Sequence, residues 1–308
     1  MITESSWSFD DVPALAGRVA LVTGANTGLG FETARMLAAR GAQVLLACRN
    51  QSKGARALDR IRAVQPDAAV SLLPLDLADL DSVKAATDSV VAAHSRLDLL
   101  INNAGIMAPP FARTNEGFEL QFGTNHLGHF AVTGRLLPLI LSTSSSRIVV
   151  VSSAAANFGH IDLGDLNFER RPYSKWGAYN QSKLATLMFS QELARRLDAA
   201  CSTTIATAAH PGGAATDLQR TTWYFRWFVN PFLAASASGG ALPTIRAATD
   251  SAAANGSYWS PSKFLEMRGP PTKSIPPARA LELGVAERLW SVSEELTGVR
   301  FEFNSYAA

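Results

Sequence analysis

Tyr179-Asn-Gln-Ser-Lys183 sets a phenol and an ammonium four positions apart, hence on one face of a helix. A free tyrosine, with a pKa of ~10, is a poor base near neutral pH. A nearby positive charge favours the phenolate and brings it toward the working range, so the pair suits moving a proton onto or off a reacting oxygen. Upstream, an apolar run over 147–151 ends in Ser152 and Ser153, either of which can present a hydroxyl at the same edge of a sheet. Alone, a tyrosine and a lysine at this spacing more often belong to an ordinary amphipathic helix. The elements around them therefore have to decide.

The first of those elements is Thr23-Gly-Ala-Asn-Thr-Gly-Leu-Gly30, which runs from a β-rich stretch into a helical one. Gly24, Gly28 and Gly30, with Asn26, Thr27 and Leu29 between them, allow a tight turn that brings backbone against a pyrophosphate at a helix N-terminus. Their spacing differs from that of the commonest dinucleotide fingerprint, but the strand-to-helix placement is the one that chemistry needs. About 20 residues further on, an acid would hold a ribose hydroxyl and an arginine would accommodate a 2′-phosphate. Here Cys48 stands near the acid's position and Arg49 follows it, favouring NADP over NAD. Lys53 can add charge there, although a helix-surface lysine is the plainer reading. Asp76 and Leu77 close the third strand, where the carboxylate can accept from an adenine amino group. Asn103, Ala104 and Gly105 close the fourth, where small residues let backbone lie along a cofactor.

The chain has 308 residues, 28 Lys+Arg against 26 Asp+Glu and a net charge of +2; 47% of it is hydrophobic and 18% charged. These values exclude disordered, collagenous and coiled-coil classes. A near-neutral balance also argues against a dedicated nucleic-acid binder. Cys48 and Cys201 cannot build a disulfide framework or a four-ligand zinc site, which fits a reducing, cytoplasmic setting. The polar N-terminus lacks the pattern of a secretory signal. No apolar run reaches the ~18 residues of a spanning helix. The closest, over 221–237, is aromatic-rich but broken by Arg226, Asn230 and Pro231, and reads as a pocket cover or a partner surface, with peripheral membrane contact as a further option.

Strands are expected at 18–23, 43–48, 70–75, 98–102, 147–152 and 204–209, with a weaker one at 256–259. Most are apolar on consecutive positions, as in strands covered on both faces. Helix-length stretches at 28–40, 51–64, 79–94, 125–141 and 179–200 alternate with them. The expected fold class is α/β: a single-domain Rossmann fold whose doubly wound, mostly parallel sheet carries helices on both faces. That domain spans 1–308, with an N-terminal extension over 1–15 and a substrate lid and C-terminal elaboration over 217–277. The stretch 268–277, holding four prolines, is expected to be irregular.

Taken in order, the Thr-Gly-x-x-x-Gly-x-Gly turn at 23–30, Asn102-Asn-Ala-Gly105, the asparagine of Gly123-Thr-Asn-His-Leu-Gly128, the serines at 152–153 and Tyr179-x-x-x-Lys183 resemble the short-chain dehydrogenase/reductase family over residues 16–300. Leu46-Ala-Cys-Arg49, Asn125-His-Leu-Gly-His-Phe130, the long serine-to-tyrosine interval and His210-Pro-Gly212 are similar to its retinol dehydrogenase and protochlorophyllide reductase group. The resemblance implies a tetrad of Asn125, Ser153, Tyr179 and Lys183. Tyr179 would exchange the proton and Ser153 would bind the substrate oxygen. Lys183 would hold the nicotinamide ribose and lower the Tyr179 pKa, and Asn125 would hold a relay water. Family alignment favours Ser153 over Ser152. Pro211, Gly212 and Thr216 would border the nicotinamide.

A metal site at His126 and His129 is not expected, because no further ligand completes it. His160 reads as a loop residue. Aromatic residues at Phe158, Phe168, Trp176, Trp223, Tyr224, Phe225, Trp227 and Phe228 suggest a lipophilic alcohol, ketone or aldehyde as substrate. The alternative is a nucleotide-binding scaffold or redox-sensing partner without useful turnover, which a filled tetrad argues against. By family analogy the chain would form a homo-oligomer through the helices that follow the fourth and fifth strands.

Overall fold

A computed structural model describes residues 7–213 and 236–303. The first apolar run forms β1 (Val19–Thr23), every residue of which is buried, and the glycine turn delivers it into α1 (Gly28–Ala39). Then follow β2 (Gln43–Cys48), α2 (Gln51–Val64), β3 (Val70–Pro74), α3 (Leu80–Ala93) and β4 (Leu99–Asn102). Asn50 caps α2 by accepting from the Lys53 N–H, and Asp79 caps α3 by accepting from the Asp81 and Ser82 N–H groups. These side chains satisfy amide donors that a helix start leaves open.

A short turn, α4 (Leu120–Phe122), leads through a π-helical turn, Gly123–Leu127, into α5 (Gly128–Leu141). The second half continues with β5 (Arg147–Val151), α6 (Lys175–Ala199), β6 (Ile205–Ala209), α7 (Ala237–Thr249), β7 (Tyr258–Lys263), β8 (Arg268–Ser274) and α8 (Leu283–Thr297). The sheet order is β3-β2-β1-β4-β5-β6-β7-β8, parallel except for the last pair. Between β1 and β4 the winding reverses, opening the crevice at strand C-termini where α/β sheets bind ligands.

The expected parallel α/β sheet is what forms, with one correction at its edge. The proline-rich stretch at 268–277 is not irregular over its first part: β8 pairs antiparallel with β7, Trp259 opposite Lys273 and Pro261 opposite Pro271. Prolines lack an N–H for the ladder, and an edge strand needs donors on one side only. Helix α6 also starts earlier than the spacing suggested, because Ser174 caps it by accepting from the Gly177 N–H. Helices α7 and α8 were not anticipated. The latter packs on α5 and α6 through the Trp290 ring, 5.1 Å from Phe130 and 5.7 Å from Phe189, centroid to centroid. Gly134 on α5 has no side chain, which leaves room for Val299 and Phe301.

Candidate active site

The strand ends, the glycine turn and α6 surround a cavity of about 550 Å³. Gly24, Asn26, Thr27, Gly28, Leu29, Gly30, Arg49, Asp76, Leu77, Asn103, Ala104, Gly105, Ser153, Tyr179, Lys183, Pro211 and Gly212 all line it. Thr216 lies outside the described residues. Asn125 does not line the cavity; it is buried behind the loop at Ile106. Lys53, read from sequence as a plain surface residue, does line it, beside Arg49 and Asn50.

Two glycines of the turn are required by close approach. Gly24 has φ 67°, and a Cβ there would stand 2.9 Å from the Ala104 Cα. A Cβ on Gly30 would collide with the Gly24 carbonyl and the Asn103 amide. The turn is locked to β4 from both sides: the Thr23 hydroxyl accepts from the N–H groups of Asn103 and Ala104, each at 2.9 Å, and Asn103 Nδ2 donates to Thr23 O at 2.8 Å. Thr27 makes no side-chain capping bond to α1, whose first turn holds no acidic residue. The N-terminus of α1 is thus free of a competing carboxylate, which fits a pyrophosphate. At the far rim, Arg49 is mostly exposed, with its guanidinium 3.7 Å from Asp76.

At the other end of the cavity the two serines separate. Ser152 Oγ donates to the Lys183 backbone carbonyl at 2.9 Å, so its proton is committed to the scaffold. Ser153 is hydrogen-bonded to the Tyr179 phenol. Tyr179 is buried, and burial pushes its phenol above the ordinary value while the Ser153 hydrogen bond opposes the rise. Lys183 Nζ donates to Val151 O at 3.1 Å, and burial lowers the group to about 8.

Asn125 sits inside the π-helical turn, a local widening that often marks functional positions. Its side chain bridges the loop before α4: Oδ1 accepts from Ile106 N–H at 2.8 Å, and Nδ2 donates to Ile106 O and to Ser182 Oγ. His126 and His129 turn to different partners. His126 meets Ser293 on α8, while His129 meets Thr23 and Asn125.

Several lining residues carried no sequence signal, among them Met107 and Met267. Met267 reaches the cavity only because the β7–β8 hairpin folds over the turn after β6, where its carbonyl accepts from the Gly213 N–H. His210 stands out in sequence only through the His210-Pro-Gly212 motif, and its Nε2 is buried without a hydrogen-bond partner among the described residues. Of the aromatic side chains expected around the substrate, Trp176 lines the cavity, Phe168 is buried against Tyr173 and Phe158 is exposed. Trp223, Tyr224, Phe225, Trp227 and Phe228 lie outside the described residues.

A family model described as short chain dehydrogenase matches residues 18–225. The chain belongs to the short-chain dehydrogenase family. This short-chain dehydrogenase is of the retinol dehydrogenase-like kind. It is 40% identical over 294 residues to retinol dehydrogenase 12 of Mus musculus, covering 94% of this chain and 89% of that one. It is 38% identical over 299 residues to retinol dehydrogenase 13 of Homo sapiens, covering 92% and 86% respectively. A crystal structure of an uncharacterized protein from Mycobacterium Paratuberculosis superposes with a TM-score of 0.82 at 43% identity, covering 97% of this chain and 100% of that one. The family comprises oxidoreductases that use NAD(P)(H) to interconvert alcohols and carbonyls. No helix among the described residues is long and apolar enough to cross a membrane.

Proposed function

We propose that this short-chain dehydrogenase uses NADP(H) to interconvert a lipophilic alcohol and its aldehyde or ketone. The observation that carries the reading is one continuous cavity with Arg49 and Lys53 at one end and Ser153, Tyr179 and Lys183 at the other. In it the nucleotide's phosphates would lie along the glycine turn, its adenine near Asp76 and Leu77, and its ring against Gly105, Pro211 and Gly212. Thr216 is proposed to join that contact from the turn after β6. The nicotinamide supplies or accepts the hydride. The chain's own part is the oxygen: Ser153 holds it as charge develops, and Tyr179 gives it a proton in reduction or takes one in oxidation. Lys183 holds the nicotinamide ribose, and Asn125 fixes the loop at Ile106 behind the ring.

Arg49 and Lys53 put two cations at the rim where a 2′-phosphate would sit, and Cys48, not an acid, precedes them. Replacing Arg49 by Asp is expected to lower the NADPH-to-NADH ratio of kcat/KM by about tenfold or more, since it removes one phosphate pair and adds a repelling charge. An unchanged ratio removes Arg49 from the phosphate site. The lipophilic substrate rests on Trp176, Met107 and Met267 in the lining of the cavity, and on the aromatic segment over 221–228, proposed to act as a lid. A panel of carbonyls followed by NADPH oxidation should show long apolar aldehydes and ketones turning over faster than small polar ketones; the reverse order sinks the substrate class.

A cytoplasmic location, with or without peripheral membrane contact through 221–237, belongs to the same reading. The family analogy points to pairing through α5 and α6. In this chain the rings of Trp290 and Phe301 cover the faces of those helices that carry Phe130 and Phe189, which leaves their other faces for such pairing.

A further inference from the structure

Between the cofactor end of the cavity and the π-helical turn lies a buried chain of hydrogen bonds that runs through one histidine. His129 is 1% exposed and stands in the first turn of α5. Its Nδ1 is 2.9 Å from the Asn125 carbonyl, which can only accept, so Nδ1 carries the hydrogen. Burial holds the ring neutral, at a pKa of about 4, so Nε2 is bare and must accept. The group 2.9 Å from Nε2 is the Thr23 hydroxyl.

That hydroxyl already accepts from Asn103 and Ala104 N–H, which leaves its proton to be donated. Its other acceptor, Ile101 O, is more distant at 3.3 Å. Each group therefore has one assignable direction. Asn103 and Ala104 donate to Thr23, Thr23 donates to His129, and His129 donates to Asn125.

We propose that His129 is a positioning residue that ties the cofactor-facing backbone at Thr23, Asn103 and Ala104 to the carbonyl of Asn125. A second strut runs parallel to it. Asn102 Nδ2 donates to Thr133 Oγ1 at 2.8 Å, and Thr133 donates to the His129 carbonyl at 2.7 Å. Together they fix the register of α5 against the end of β4. The backbone that contacts the nucleotide and the loop behind the nicotinamide then move as one body. Placement matters here because displacing a reacting group by a fraction of an ångström is costly in rate. The proposal rests on the functional reading above and adds to it a residue that touches neither substrate nor cofactor.

The test is a double-mutant cycle of Thr23→Val and His129→Phe, read by nucleotide affinity and kcat, together with 15N-histidine spectra of the unaltered protein. Each single variant is expected to weaken NADPH binding and lower kcat by about tenfold, the scale of one buried hydrogen bond left unmade. The double variant should be little worse than either, because the two act through one chain. Thr23→Ser should recover most of what Thr23→Val loses. Should His129→Phe fail to fold, His129→Leu, which also removes both ring nitrogens, takes its place in the cycle, and His129→Gln, which keeps a donor and an acceptor, should recover most of the loss.

The spectra should show His129 with a protonated Nδ1 and a bare Nε2 throughout the neutral range. Strictly additive losses, a fall in melting temperature with kcat and affinity intact, or the opposite tautomer overturns the proposal. Failure of the unaltered protein to bind either nucleotide would instead overturn the functional reading. The tautomer would then still decide the direction of the hydrogen-bond chain.

Discussion

Tyr179→Phe is expected to lower kcat by about 10²- to 10⁴-fold in both directions while leaving nucleotide affinity within a few-fold of the unaltered enzyme. The phenol is the group hydrogen-bonded to Ser153 in the cavity, and burial keeps it protonated near neutrality, so it is poised as the acid for carbonyl reduction. Oxidation needs the opposite state. It should therefore accelerate as pH rises, until Lys183 begins to lose its charge near about 8. The substitution deletes one oxygen and leaves the ring, which packs edge-on to Trp176 at 6.2 Å between centroids, so the fold should hold. Steady-state rates with NADPH and NADP, paired with nucleotide titration of the same variant, separate the two outcomes. Turnover that survives would show that another group carries the proton. Loss of binding alongside turnover would make Tyr179 a cofactor contact first.

The second large effect is on stability in acid. Burial lowers His126 to about 3 and His129 and His210 to about 4, against an unfolded value near 6.5. Below pH 6.5 the unfolded chain takes up protons that the folded chain refuses. Stability contributed by these rings is thus complete above pH 6.5 and is lost as pH falls toward 4. Each ring that stays neutral makes acid more costly by about 1.4 kcal/mol per pH unit below 6.5, a sizeable share of the stability of an ordinary domain. The melting temperature should be flat above pH 7 and fall steeply below 6, with unfolding before pH 4.

His126→Phe should make that slope shallower. His126 lies among Phe122, Phe130 and Phe189, and its Nδ1 has no partner among the described residues, so a phenyl ring fits the site. Ser293 keeps its bond to the Leu289 carbonyl after the exchange. A melting temperature indifferent to pH between 7 and 4.5 would mean that the three rings are not buried neutral.

Much of the site was legible because its chemistry is local. Gly24 and Gly28 are dictated by positive φ angles inside a turn of a few residues, and Tyr179 and Lys183 share a face because a helix repeats every 3.6 residues. Parallel strands buried on both faces show as unbroken apolar runs, so β1, β2 and β5 could be placed from hydropathy alone. Strand β8 could not, because prolines argue against a strand until one knows that it is an edge.

The choice between Ser152 and Ser153 shows the limit at the scale of one atom. Adjacent residues at a strand end point to opposite sides, and only the packed helix α6 reveals that the first donates to Lys183 O and the second meets Tyr179. His129 shows it across the molecule: Thr23 precedes it by more than a hundred residues, and no spacing rule joins them. The amino-acid sequence by itself determined the fold class, the glycine turn and the helical Tyr–Lys pair, since each follows from backbone periodicity and local backbone conformation. Only the tertiary structure decided which serine faces the phenol, where the Lys183 charge is spent and which tautomer His129 holds. Those depend on burial and on hydrogen-bond partners brought together from distant parts of the chain.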